Sequence, residues 1–136
     1  MKRFLTTIPP YCFSATVIVA VIYLTLFPDP LPETDMPFIE GMDKVVHGIM
    51  MFGVITSLSF DYIRHKRLSV KMPLGRLLVF LAFTVVFGAV IEVAQEMMAL
   101  GRGGDMYDFV ADCIGAIFGM AVARVWMTRI VAWLLS

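Results

Sequence analysis

The chain has 136 residues, enough for one domain, of which 60% are apolar and only 16% charged. With a mean hydropathy of +0.85, it carries more apolar surface than a soluble domain of this size can hide, so lipid is the expected solvent. Its formal net charge of zero offers no bulk field for nucleic acid.

In chain order, four apolar runs approach the roughly 20 residues that cross a hydrocarbon core. They are 11–27, fenced by Pro9, Pro10 and Pro28, then 45–63, 77–100 and 107–127. "MKRF" before the first run resembles a signal peptide. Nothing after the run reads A-x-A, however, and "PPYC" is a poor lipobox, so a retained span is expected. The tail 128–136 either prolongs the fourth span or lies along the interface.

Lysine and arginine set the orientation. Lys2 and Arg3 precede the first span. Arg64, Lys66, Arg67, Lys71 and Arg76 cluster between the second and third, and Arg124 and Arg129 close the chain. The 28–44 segment is acidic apart from Lys44, and the 101–108 segment is acidic apart from Arg102. The expected architecture is a single all-α domain over 1–136. It is an integral membrane bundle of four transmembrane helices, with both termini inside and both acidic loops outside. Tyr11, Tyr62, Trp126 and Trp133 then fall near the inner interface, and Tyr23 and Tyr107 near the outer one. Cys12 and Cys113 fall in opposite halves, too far apart to bridge. Arg124 and Arg129 are placed to snorkel to the inner surface, and Asp61, His65 and the basic run read as an ordinary cytoplasmic face.

The remaining polar residues gather at the outer end. Asp43 and His47 are i and i+4 at the start of the second span. Glu92, Gln95 and Glu96 share a face near the end of the third. Asp105, Asp108 and Asp112 open the fourth, and Gly115 and Gly119 continue their stripe. Glycines spaced this way mark close helix packing in membranes, so the aspartates should face other helices. At helical rise Glu92 sits about 12 Å inside Leu100 and Asp112 about 8 Å inside Tyr107. Three helices thus aim acids, an amide and an imidazole at one outer-leaflet cavity, with Lys44 and Arg102 at its mouth. Plainer roles compete. Asp105 and Asp108 suit a helix N-terminus on electrostatic grounds alone, Gln95 suits helix–helix hydrogen bonding, and Glu96 lies near the surface. A lone histidine such as His47 is usually a satisfied core residue. Asp112 and Glu92 lie deep enough that such roles fit them poorly.

"DKVVH", carrying Asp43, Lys44 and His47, is followed by "EVAQEMMALGRGGDMYDFVADCIGAIFG". The ordered set resembles the VanZ-like family across residues 28–119. Glu92 and Gln95 match its E-x-x-Q, Arg102, Asp105 and Asp108 its R-x-x-D-x-x-D, and Gly115 and Gly119 its closing glycines. Asp112 departs, since the family often carries asparagine there. The resemblance implies a small multi-span membrane protein in a cell-envelope context linked to tolerance of the glycopeptide teicoplanin; it implies no mechanism.

Three functions stay open. The first is a protein of the bacterial cytoplasmic (inner) membrane whose cavity of Asp43, Lys44, His47, Glu92, Gln95, Arg102, Asp105, Asp108 and Asp112 binds a membrane lipid or lipid-linked envelope intermediate, or an antibiotic. The second is a membrane enzyme acting on phosphorylated lipid, with carboxylates holding Mg²⁺ or Mn²⁺ and His47 as general acid or base. The third is a small transporter subunit; the inner halves of the spans carry no matching acid ladder, which counts against it. No catalytic residue, metal-ligand set or cofactor is assigned from the residues alone, and homo-oligomerisation stays open.

Overall fold

The computed structural model describes residues 7–27, 41–67, 71–98 and 105–135. The Lys2–Arg3 terminus, the 28–40 part of the acidic loop and Arg102 lie outside the described residues. Every element among the described residues is helical. They are α1 (Cys12–Leu26), α2 (Met42–Lys66), α3 (Leu74–Met98), α4 (Met106–Val122), a π-helical turn (Ala123–Met127) and α5 (Thr128–Leu135).

Three helices are long and apolar enough to cross a membrane: Met42–Lys66, Leu74–Met98 and the continuous Met106–Leu134. The tail therefore prolongs the fourth helix through the π turn. The first helix is shorter than its apolar run suggests. Its 15 residues span about 22 Å, less than the roughly 30 Å of a hydrocarbon core. The Pro9–Pro10 pair removes amide donors, and Tyr11 starts the helix in the left-handed region at φ 61°.

Helix α2 is the central element and packs against every other helix. Its buried stripe is His47, Met51, Val54, Ile55, Leu58, Asp61 and Ile63, a helical period. Met51, Val54, Ile55 and Ile63 are fully buried, joined by Leu77, Ile91 and Ala116 of its neighbours. The bundle's outside is apolar in turn, with Val19, Ile49, Val86, Val90, Ile114 and Phe118 exposed, as a lipid-facing surface requires. Hydroxyls inside the helices are neutralised locally. Thr25, Thr56, Ser59 and Thr84 each donate to the carbonyl one turn back.

The closest approach is between α2 and α4. A Cβ on Gly115 would overlap the Gly48 backbone, and one on Gly119 would overlap the Ile55 side chain. Only glycine permits this spacing, so the aspartate–glycine stripe of α4 faces α2, as its periodicity predicts.

The end of α2 holds a correction. Asp61 and Arg64 are not a solvated face, for Asp61 is fully buried and Arg64 is 6% exposed. Asp61 Oδ2 accepts from the Ser14 amide (2.9 Å) and hydroxyl (2.8 Å), and its Oδ1 accepts from Arg64 Nη2 at 2.9 Å. Arg64 also donates to the carbonyls of Ile8 and Pro9 just before α1. Its guanidinium lies over the Phe13 ring. Arg124 likewise is not simply extended to solvent: it donates to the Met72 carbonyl, tying the start of α3 to the π turn. His65 is exposed. Cys12 and Cys113 are free thiols.

Candidate functional site

The opposite end of the bundle brings together the starts of α2 and α4 and the end of α3, and two layers form there. In the upper layer Lys44 Nζ sits 3.1 Å from Asp43 Oδ2, 3.1 Å from Asp105 Oδ2 and 3.2 Å from Asp108 Oδ1. One ammonium has three donors, so a single lysine serves all three acids. Its side chain is 35% exposed and that of Asp108 only 13%, which places the layer at the rim.

Asp105 does more than pair. It is the N-cap of α4, with Oδ1 accepting from the Tyr107 amide at 2.9 Å. Its own amide donates to Glu92 Oε2 at 3.1 Å, across to α3. The Tyr107 amide, and then the Lys44 ammonium, hold its carboxyl below the usual carboxylate range. The helix-terminus role foreseen for Asp105 and its place in the cluster are therefore both present.

The lower layer is drier. His47, Glu92 and Asp112 are all buried, and the Asp112 side chain is fully enclosed. His47 Nδ1 lies 3.3 Å from Glu92 Oε1 and 3.3 Å from Asp112 Oδ1. None of these three atoms, nor Asp112 Oδ2, has a hydrogen-bond partner among the described residues. Buried polar side chains normally do. The Asp112 carboxylate fits against α3 because Gly88 has no side chain; a Cβ there would stand 2.7 Å from Asp112 Oδ2. Three ligating atoms on three helices thus face one another within 4.8 Å, a set that spacing along the chain does not single out.

Gln95 is placed elsewhere. Its Nε2 donates to the Thr25 carbonyl at 3.0 Å, one of the last carbonyls of α1, which lack intrahelical partners. It ties α3 to α1 beside the acidic cluster. Glu96 is exposed. Arg102 lies outside the described residues.

Two cavities flank α4. One, of about 430 Å³, opens between α3 and α4. Glu92, Glu96 and Asp105 form its polar side, and Ala89, Val93, Met97, Met106 and Phe109 its apolar side. The other, of about 600 Å³, is an almost wholly apolar groove between α2 and α4, along Val45, Ile49, Phe52, Ile114 and Phe118, with Lys44 at its end. The first has the chemistry of an amphipathic site, with carboxylates above and hydrocarbon below.

No family model matches the chain, no curated protein matches it, and no solved structure matches it.

Proposed function

We propose that the chain is an integral protein of the bacterial cytoplasmic membrane that binds an amphipathic, lipid-linked envelope ligand at its outer-leaflet end. In this reading four helices cross the membrane with both termini inside. Like the VanZ-like proteins it resembles, the chain is linked to tolerance of teicoplanin-type glycopeptides. The carrying observation is the cavity between α3 and α4, where Glu92 and Asp105 adjoin the apolar wall of Ala89, Val93 and Phe109. A ligand's chain lies along that wall and its head meets the acids. Carboxylates accept hydrogen bonds from sugar hydroxyls or an ammonium, which defines the head group they suit. The motifs from Asp43 to Gly119 that resemble the VanZ-like family support the envelope context, and the apolar perimeter supports lipid as solvent.

Filling the cavity tests the ligand reading. Val93 is 59% exposed on its wall, so Val93→Trp should fold while occluding the space. Native mass spectrometry should find a lipid retained by the wild type and lost from Val93→Trp, and any teicoplanin tolerance should fall with it. Wild type without retained lipid, or full tolerance in Val93→Trp, would overturn the proposal. Orientation has its own test in a background with Cys12 and Cys113 replaced by serine. An impermeant thiol reagent should label Glu33→Cys from outside and Lys66→Cys only after the membrane is breached. The opposite pattern would invert the bundle.

A further inference from the structure

The geometry points to a divalent transition-metal site formed by His47 Nδ1, Glu92 Oε1 and Asp112 Oδ1. Three independent features carry it.

The first is spacing. The imidazole nitrogen is 3.3 Å from each carboxylate oxygen, and the three atoms lie within 4.8 Å of one another. Ligands bound at about 2.1 Å around a tetrahedral ion stand about 3.4 Å apart. The approach is close enough for shared coordination, while neither pair is aligned as a hydrogen bond.

The second is unmet demand. Nδ1 carries at most one hydrogen, so the imidazole cannot serve both carboxylates fully. Asp112 has a wholly enclosed side chain and no hydrogen bond to either oxygen. Lys44 is taken up by Asp43, Asp105 and Asp108. A divalent ion held by two carboxylates and a neutral imidazole is electrically balanced, whereas two buried carboxylates sharing one imidazole are costly.

The third is preparation around the ligands. The Asp105 amide holds Glu92 by its other oxygen, Oε2, leaving Oε1 turned to the cluster. Gly88 supplies the space in which Asp112 sits. Oriented ligands with outer partners of this kind characterise metal sites.

The nitrogen donor selects the ion. Imidazole suits Zn²⁺ and other transition ions, while all-oxygen sets suit Mg²⁺ and Ca²⁺; two carboxylates beside it also suit Mn²⁺. Three protein ligands leave a coordination position open, and Glu92 also lines the cavity between α3 and α4. The site therefore adjoins that cavity through Glu92, with its three ligating atoms buried behind the cavity wall.

Ion binding is measured without any lipid-linked ligand, so its outcome is separable from that of Val93→Trp. The full chain, purified without a polyhistidine tag into phosphatidylglycerol–phosphatidylethanolamine nanodiscs, is stripped with chelator and titrated separately with Zn²⁺ and Mn²⁺. Elemental analysis should give about one ion per chain for at least one metal. His65→Gln should bind like wild type, because His65 is exposed at the other end. Asp112→Asn and His47→Gln should weaken binding by about tenfold or more. X-ray absorption of the loaded wild type should show one imidazole nitrogen in a shell otherwise of oxygen. No stoichiometric ion in the wild type, unchanged affinity in Asp112→Asn, or a shell without a single imidazole would each overturn the site. If the variants do not fold, the wild-type spectrum decides alone.

Discussion

Two buried aspartates, one at each end of α2's interfaces, live in opposite circumstances. Asp61 receives the amide and hydroxyl of Ser14 and the guanidinium of Arg64, so both its oxygens are bonded. Asp112 is as deeply enclosed and has no hydrogen bond to either oxygen. Burial costs both the same kind of desolvation. At Asp61 the protein itself offsets that cost; at Asp112 it offers only the His47 ring, 3.3 Å away and shared with Glu92. A saturated cluster is a staple, with no valence left for anything else. An unsaturated one is held in place by its surroundings and completed by something that is not the chain.

The comparison breaks most readily at the saturated end. Asp61→Ala leaves the Arg64 guanidinium buried without its carboxylate, a loss of about 3–5 kcal/mol for pairs of this kind. The expected result is a large fall in thermal unfolding temperature, with metal affinity unchanged in whatever protein remains folded. A stability near wild type would mean that the Ile8 and Pro9 carbonyls suffice for Arg64, and that Asp61 is no staple.

Asp112→Asn should act in the other direction. With no ion bound, replacing an unsatisfied buried carboxylate by an amide removes a penalty of about 1–3 kcal/mol and adds a donor for Glu92 Oε1. The metal-free variant should therefore melt higher than the metal-free wild type, and should lose the stabilisation that added Zn²⁺ or Mn²⁺ confers. Destabilisation in the absence of metal would show that the Asp112 carboxylate is already satisfied by His47, and the contrast between the two aspartates would fall.

The cluster at the starts of α2 and α4 was largely legible in the sequence because the chain is so apolar. Against such a background Glu92, Asp108 and Asp112 stand out, and helical spacing puts them on faces that Gly115 and Gly119 turn toward α2. Asp61 was not legible in the same way, since it closes the 45–63 run beside Arg64, His65 and Lys66 and reads with them as an ordinary cytoplasmic face. A signal existed: the stripe His47, Met51, Val54, Ile55 and Leu58 continues in phase to Asp61, and Arg64 is three residues on. The partition of the acids had no such signal. Whether a carboxylate meets Lys44 or His47 depends on helix rotation and a few ångströms of depth, which periodicity does not resolve. Gln95 could reach either the cluster or α1, and only the termination of α1 at Leu26 exposes the carbonyl it takes. Gly88 carries no mark in the sequence, because its role lies in the volume it leaves to a residue of another helix.

That volume gives a subtler way to sharpen the contrast. Gly88→Ala would put a Cβ 2.7 Å from Asp112 Oδ2, so the carboxylate must shift. Overpacking by one methyl costs about 1 kcal/mol or somewhat more. Metal affinity should fall about tenfold, as when outer-sphere support is lost, while the distant Asp61 staple is untouched. A shift confined to stability, with affinity intact, would show that the position of Asp112 is not what binds the ion.

The smallest expected effect is at the rim, where Asp105 is half-way between the two cases: well partnered, but in reach of water. Asp105→Asn keeps a good N-cap for α4 and the amide that holds Glu92, and removes only the negative charge facing Lys44. Lys44 retains Asp43 and Asp108, so the loss at neutral pH should be slight and screened by salt. Its pH dependence identifies it. The Tyr107 amide and Lys44 depress the Asp105 carboxyl in the folded protein. Its contribution to stability is therefore complete above the ordinary carboxylate range and is lost as the pH falls through the folded value. A protonated aspartate and an asparagine are then nearly equivalent. Thermal unfolding of wild type and Asp105→Asn, compared from neutral pH down to about pH 3, should show a small gap that narrows steadily with acid. The other carboxylates titrate in both proteins and largely cancel in the difference. A gap that stayed constant with pH would mean that the amide fails as a cap or no longer positions Glu92, and that the charge on Asp105 does nothing for Lys44.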